Sequence, residues 1–151
     1  MENLGSSLSD TARMLRRAFD ARARSIGVTR PQWQVLSVLS RYEGVNQGGL
    51  AELLDVEPIT VCRMLDRLQE SGLIERRADP ADRRSWRLFL TAKAGELLDH
   101  LRPISVELLD EALLGIGEPE REALFAALAQ IRRNLSRRSE VARPEGVARH
   151  G

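Results

Sequence analysis

The stretch LAELLDVEPITVCRMLDRLQESGLIERRADPADRRSWRLFLT, residues 50–91, decides the fold. Leu50, Ala51, Leu53 and Leu54 are the apolar positions of a short helix predicted from about Gly48 to Leu54. The break Asp55-Val56-Glu57 follows. Pro58 then opens a second helix, because a first-turn residue has no intrahelical use for the N–H that proline lacks. Val61, Leu65 and Leu68 share one face of that helix, which runs to about Ser71 and is stopped by Gly72. Two short strands come next, Leu73 to Ala78 and Trp86 to Leu90. In the second, Trp86, Leu88 and Leu90 alternate with Arg87 and Phe89. The link from Asp79 to Ser85 is polar and rich in turn formers, and reads as a hairpin with an exposed tip.

Working outward, Leu8, Ala12, Leu15 and Phe19 fall at spacings of four, three and four, which predicts a helix from Leu8 to Ile26 ending at Gly27. A helix after Thr29 has the capping-box pair Thr29 and Gln32, Pro31 in its first turn, and Trp33, Leu36 and Leu39 on its apolar face. Beyond the hairpin, Thr91 caps a long helix to about Leu114 carrying Leu97, Leu101, Ile104 and Leu108. Pro103 lies inside it and either kinks or splits it. A last helix starts near Glu118, with acidic residues where the helix dipole favours them, and carries Leu124, Leu128, Ile131 and Leu135.

The whole chain, 1–151, reads as one domain. Residues 30–91 form a winged helix-turn-helix, 4–26 and 92–138 form flanking helices with heptad-like stripes, and 139–151 form a tail expected to be disordered. The fold class is mainly α, with one small β-hairpin wing. A hydrophobic share of 42% and a charged share of 30% suit a globular chain and exclude a disordered one. A single cysteine, Cys62, excludes an intramolecular disulfide and agrees with a reducing compartment. No run approaches the roughly 20 apolar residues of a membrane span, and Met1 to Asp10 lacks the pattern of a signal peptide, so the expected location is cytoplasmic.

Net charge is only +1, so any nucleic-acid binding must come from a local patch. Such a patch is present. A major groove about 12 Å wide admits one helix. The helix from Pro58 buries Val61, Leu65 and Leu68 and leaves its other side free for Thr60, Arg63 and Arg67. Its leading residues Pro58, Ile59 and Thr60 point outward, where helix-turn-helix proteins touch bases. Arg63 suits bidentate contact with guanine or a phosphate. At the hairpin tip, Arg83 and Arg84, followed by Arg87, suit the narrow, electronegative minor groove of A·T-rich DNA. Asp79 and Asp82 are expected to structure the wing by pairing with Arg76, Arg77 or Arg84, with Arg84 as the structural partner and Arg83 in the groove.

At these residues the chain resembles the MarR family of bacterial transcription regulators, particularly its SlyA-like members. The matching pieces are Pro31-Gln32-Trp33 with Val35-Leu36, the run Leu50 to Leu54, the run Thr60 to Leu68, and Gly72 to Arg77. The densest match is Asp79-Pro80-Ala81-Asp82-Arg83-Arg84 followed by Leu88-Phe89-Leu90-Thr91. The resemblance covers roughly Thr29 to Leu135. It implies a homodimer with interlocking terminal helices, a recognition helix in the major groove and a wing in the minor groove of double-stranded DNA. It also implies a small aromatic or phenolic anion whose binding weakens DNA affinity. Trp33 and His100 are the candidates for that pocket. Ala94 departs from the family, which often carries glycine near there.

Taken singly, Arg63, Arg67, Arg83 and Arg84 also fit solvated surface charges. Cys62, beside Val61, is expected to be a small packing residue rather than a redox switch, for want of a resolving partner. His100 and His150 with one cysteine give no metal spacing, and no nucleophile sits with a histidine partner, so neither a metal, a cofactor nor enzyme activity is expected. The functional reading is a DNA-binding regulator, a repressor released from a pseudo-palindromic operator by a small aromatic ligand. The alternatives are a ligand-independent regulator or counter-silencer, and a winged-helix protein-interaction module.

Overall fold

The computed structural model describes residues 3–141. Asn3 supplies a cap upstream of the expected start, its side chain accepting the Gly5 N–H at 2.8 Å, so the first helix, α1, spans Leu4–Ser25. Gly27 follows with φ +78°, a left-handed turn that glycine adopts without a Cβ penalty. Thr29 and Gln32 cap α2, Arg30–Arg41, reciprocally: each side chain accepts the other's backbone N–H. Asn46 caps α3, Gln47–Leu54, and α4 spans Pro58–Glu70. The hairpin is β1, Ile74–Ala78, and β2, Trp86–Leu90, antiparallel with Ile74 opposite Leu90 and Arg76 opposite Leu88. Then come α5, Ala92–Ala112, capped by Thr91 Oγ1 accepting the Ala94 N–H at 3.2 Å, and α6, Glu118–Val141.

α5 runs through Pro103 as one helix and is not split there. α6 includes residues 139–141, which the sequence places in a disordered tail; Arg137, Arg138 and Glu140 are good helix formers, and the first breaker is Pro144. The rest of the expected tail, residues 142–151, lies outside the described residues.

The chain divides into two compact units, one ending at Ala112 and the other beginning at Leu113. The first holds α1–α5 and the hairpin. Its main core joins Val35, Leu36 and Leu39 of α2, Leu50 of α3, Val61, Leu65 and Leu68 of α4, Leu88 of β2 and Ala94 of α5. Ala94 is fully buried in this core. Leu53, expected among the apolar positions of α3, is instead 47% exposed. A second cluster sets Ala23, Val28 and Leu101 against Phe19, Trp33 and Leu97, tying α1 and α2 to α5. The second unit is α6 with the turn before it, where Arg121 donates to the backbone oxygens of Leu113 and Ile116.

The segment between α2 and α3 fixes the hairpin to the core. Leu88 exchanges backbone bonds with this segment, donating to the Val45 oxygen at 3.0 Å and accepting from Gly44 at 2.8 Å. The outer edge of β2 is thereby paired rather than left open, and it ends at a bridge between Asn46 and Arg87.

Candidate nucleic-acid interface

α4 buries Val61, Leu65 and Leu68 beneath it, and on its remaining surface Pro58, Ile59, Thr60, Arg63 and Arg67 are all exposed. The helix pattern predicted from the sequence therefore leaves the side chains where it placed them. Thr60, Arg63 and Arg67 also face a concavity of about 440 Å³ whose opposite wall is Thr29, Pro31 and Gln32 at the start of α2. Among the described residues the guanidinium groups of Arg63 and Arg67 have no hydrogen-bond or ion-pair partner, so both cations are available to an anion.

The wing is built differently from the expectation. Asp79 Oδ1 accepts the Ala81 N–H at 2.9 Å, and Asp82 Oδ1 accepts the Arg84 N–H at 3.0 Å. Both aspartates therefore structure the tip as turns onto the backbone two residues on, and among the described residues neither pairs with a guanidinium. Arg84 contributes its N–H rather than its side chain. Arg83 and Arg84 are both exposed with no side-chain partner among the described residues, and Arg87 is exposed at the edge of β2.

The other two candidate partners are engaged elsewhere. Arg76 reaches from β1 to α4 and donates to Asp66 Oδ1 at 2.8 Å, Gln69 Oε1 at 2.9 Å and the Cys62 oxygen at 3.4 Å. It is a strut between the wing and α4, and it offsets the carboxylate that α4 would otherwise turn outward uncompensated. Arg77 pairs with Glu75 at 3.2 Å and lies 4.0 Å above the Phe89 ring. Phe89 is half-buried for that reason, while Trp86, at the far end of β2 and beyond the core, is 49% exposed; the alternation expected in this strand is interrupted at both residues. Cys62 is exposed rather than packed, its sulfur 3.9 Å from Gln47 Nε2, because its position on α4 lies off the buried stripe toward the wing.

Trp33 lines a second, mostly apolar cavity of about 220 Å³ with Leu15, Phe19, Ser37, Ser105 and Leu108, and Arg16 at its wall. Phe19 meets Trp33 edge to face at 4.8 Å. Trp33 Nε1 donates to Asp20 Oδ1 at 2.7 Å, and Arg30 pairs with the same carboxylate. Burial raises the Asp20 pKa, but the hydrogen bonds from Arg30 and Trp33 and the charges of Arg30 and Arg24 together outweigh it and hold the carboxyl below its ordinary value. His100 is exposed on α5 and does not line the Trp33 cavity: the helical turn that carries Leu97 and Leu101 inward carries it outward.

Two helices joined by a tight left-handed break, the second free on one side, and a pinned basic hairpin define a winged helix-turn-helix protein. The MarR family profile matches residues 26–85. The transcriptional regulator PA3341 is 33% identical, with a TM-score of 0.78 over 89% of this chain and 99% of that one. A MarR transcriptional regulator from Methanosarcina mazei Go1 is 25% identical, with a TM-score of 0.75 over 88% of this chain and 96% of that one. The transcriptional regulator SlyA is also 25% identical, with a TM-score of 0.76 over 94% of this chain and 100% of that one. The chain belongs to the MarR family of transcriptional regulators.

Proposed function

We propose that this regulator works as a homodimer that sets one α4 into each of two successive major grooves and one wing into each flanking minor groove. It acts as a cytoplasmic repressor on a pseudo-palindromic operator. Residues 30–91 are the DNA-binding part, and 4–26 with 92–138 supply the dimerisation helices. Pro58, Ile59, Thr60, Arg63 and Arg67 meet the major groove, and Arg83, Arg84 and Arg87 meet the minor groove and its phosphates. The observation that carries the reading is the set of exposed arginines, without a side-chain partner among the described residues, on two elements held in fixed relation by Arg76. A chain of net charge +1 that concentrates unpaired cations on its recognition helix and wing tip has the local field that phosphate binding requires.

Release by a small aromatic or phenolic acid is the second part of the proposal. The Trp33 cavity supports it: its 220 Å³ exceeds the roughly 150 Å³ that suffices for a benzene ring, its walls are aromatic and aliphatic, and Arg16 supplies a cation for a carboxylate. An electrophoretic mobility shift on a selected operator, with and without benzoate-type acids, tests both parts. Loss of the shifted band on adding the acid is expected in the wild type and not in Trp33→Ala. A shift that no acid relieves favours a ligand-independent regulator, and no shift on any DNA contradicts the proposal as a whole.

A further inference from the structure

We propose that Ile59 reads the 5-methyl group of a thymine in the major groove, one or two base pairs from the position met by Arg63. The inference rests on α4 being the DNA-recognition helix and adds to it the chemistry of one base.

Ile59 is 66% exposed, among the most exposed large apolar side chains of the described residues. It has no folding duty there. The buried stripe of α4 is Val61, Leu65 and Leu68, and at about 100° per residue Ile59 falls on the far side of the helix from it, in line with Arg63 one turn later. A β-branched residue on an exposed helix face is a poor helix former, so neither packing nor propensity accounts for it. It is the second residue of α4, the end of a recognition helix that approaches base edges.

An isoleucine cannot donate to or accept from a base edge. Set against the polar edge of guanine, adenine or cytosine it would strip water from groups it cannot satisfy. The thymine methyl is the one apolar feature that the major groove displays, so it is the partner that Ile59 fits. Four residues of helix rise about 6 Å, and successive bases are about 3.4 Å apart along a strand, which gives the one- to two-base-pair separation from the Arg63 contact.

The test replaces single thymines in a selected operator by deoxyuridine, which removes the methyl and leaves every hydrogen-bonding group. With the full-length protein, one such replacement in one half-site is expected to weaken binding about fourfold, the effect of exposing one methyl-sized group. The sensitive position should lie one or two base pairs from the base whose identity Arg63→Ala ceases to discriminate. Ile59→Ala should bind the thymine and uracil operators equally, and Ile59→Val, which keeps the branched carbon, should retain most of the difference. Wild-type protein indifferent to every uracil replacement overturns the inference while leaving DNA binding by α4 intact. So does Ile59→Ala that still discriminates thymine from uracil as the wild type does. Failure to select any operator would strike the DNA-binding reading first.

Discussion

Arg63 stands on the exposed side of α4 with no side-chain partner among the described residues, so its guanidinium can meet DNA without breaking a contact with any of them. Arg63→Ala is expected to cost about 1–3 kcal/mol on the selected site and much less on random DNA, measured by competition binding; equal losses on both would make it a phosphate contact instead. The wing residues divide by role in a way the sequence alone did not reveal. Since Asp82 holds the Arg84 N–H and neither Arg83 nor Arg84 has a side-chain partner among the described residues, both arginine-to-alanine variants should keep the wild-type melting temperature, lose affinity and show a shallower salt dependence. Asp82→Ala should lose affinity although it removes a negative charge, because the tip loses the turn that presents the arginines. A gain in affinity for that variant would show that the charge matters more than the turn. The turns were legible in principle: an aspartate two residues before an unsatisfied N–H is a local pattern, whereas the expected ion pairs asked two long side chains to meet at an exposed tip for little gain. Asp20 gives a pH signature. Its carboxyl is held below its ordinary value, so the stabilisation is fully present above about pH 4, the unfolded value, and is lost as pH falls through the lower folded one. Asp20→Asn should therefore be less stable than the wild type at neutral pH, and the gap should close in melting curves taken below about pH 4.

At the scale of the elements, the capping box of α2, the proline start of α4 and both strands stand where periodicity and turn chemistry place them, because each is specified by residues next to it in sequence. The contact from β1 to α4 was not foreseen, since it joins positions ten apart on different elements. One signal for it exists. Arg76 has the same strand parity as the buried Ile74, so its side chain leaves the sheet on the core side and must find acceptors there; Asp66 and Gln69 are those acceptors. Arg76→Ala is expected to lower stability by about 1–2 kcal/mol. It should also speed hydrogen exchange in β1 and β2 and weaken DNA binding. In that background a further Arg83→Ala should add less than it does alone, since a wing with no fixed angle to α4 gains less from its tip. Additive losses in the double variant would mean that Arg76 does not couple the two elements. Likewise, the exposure of Cys62 follows from where its turn of α4 lies relative to the wing, which a count of apolar neighbours in sequence cannot register.

For the whole molecule, the helices outside the winged core carry apolar side chains that the single chain leaves uncovered. Leu8 and Met14 of α1 are 39% and 65% exposed, and Leu124 and Phe125 of α6 are 41% and 55% exposed. A second copy is the economical cover for them, and sedimentation at micromolar concentration should give twice the mass of the chain; a stable folded monomer there would remove the dimer from the account. The two-fold symmetry of the proposed dimer would make a demand on the DNA that no single chain could make. The central claim, that a symmetric pair of α4 helices reads DNA sequence, is tested most directly by selecting binding sites from random duplexes with the full-length protein. The account predicts enrichment of a pseudo-palindrome whose half-sites lie about 10 base pairs apart, one helical turn, with the half-site preference altered by Arg63→Ala. Enrichment of no sequence, or of an asymmetric site indifferent to Arg63, would contradict it.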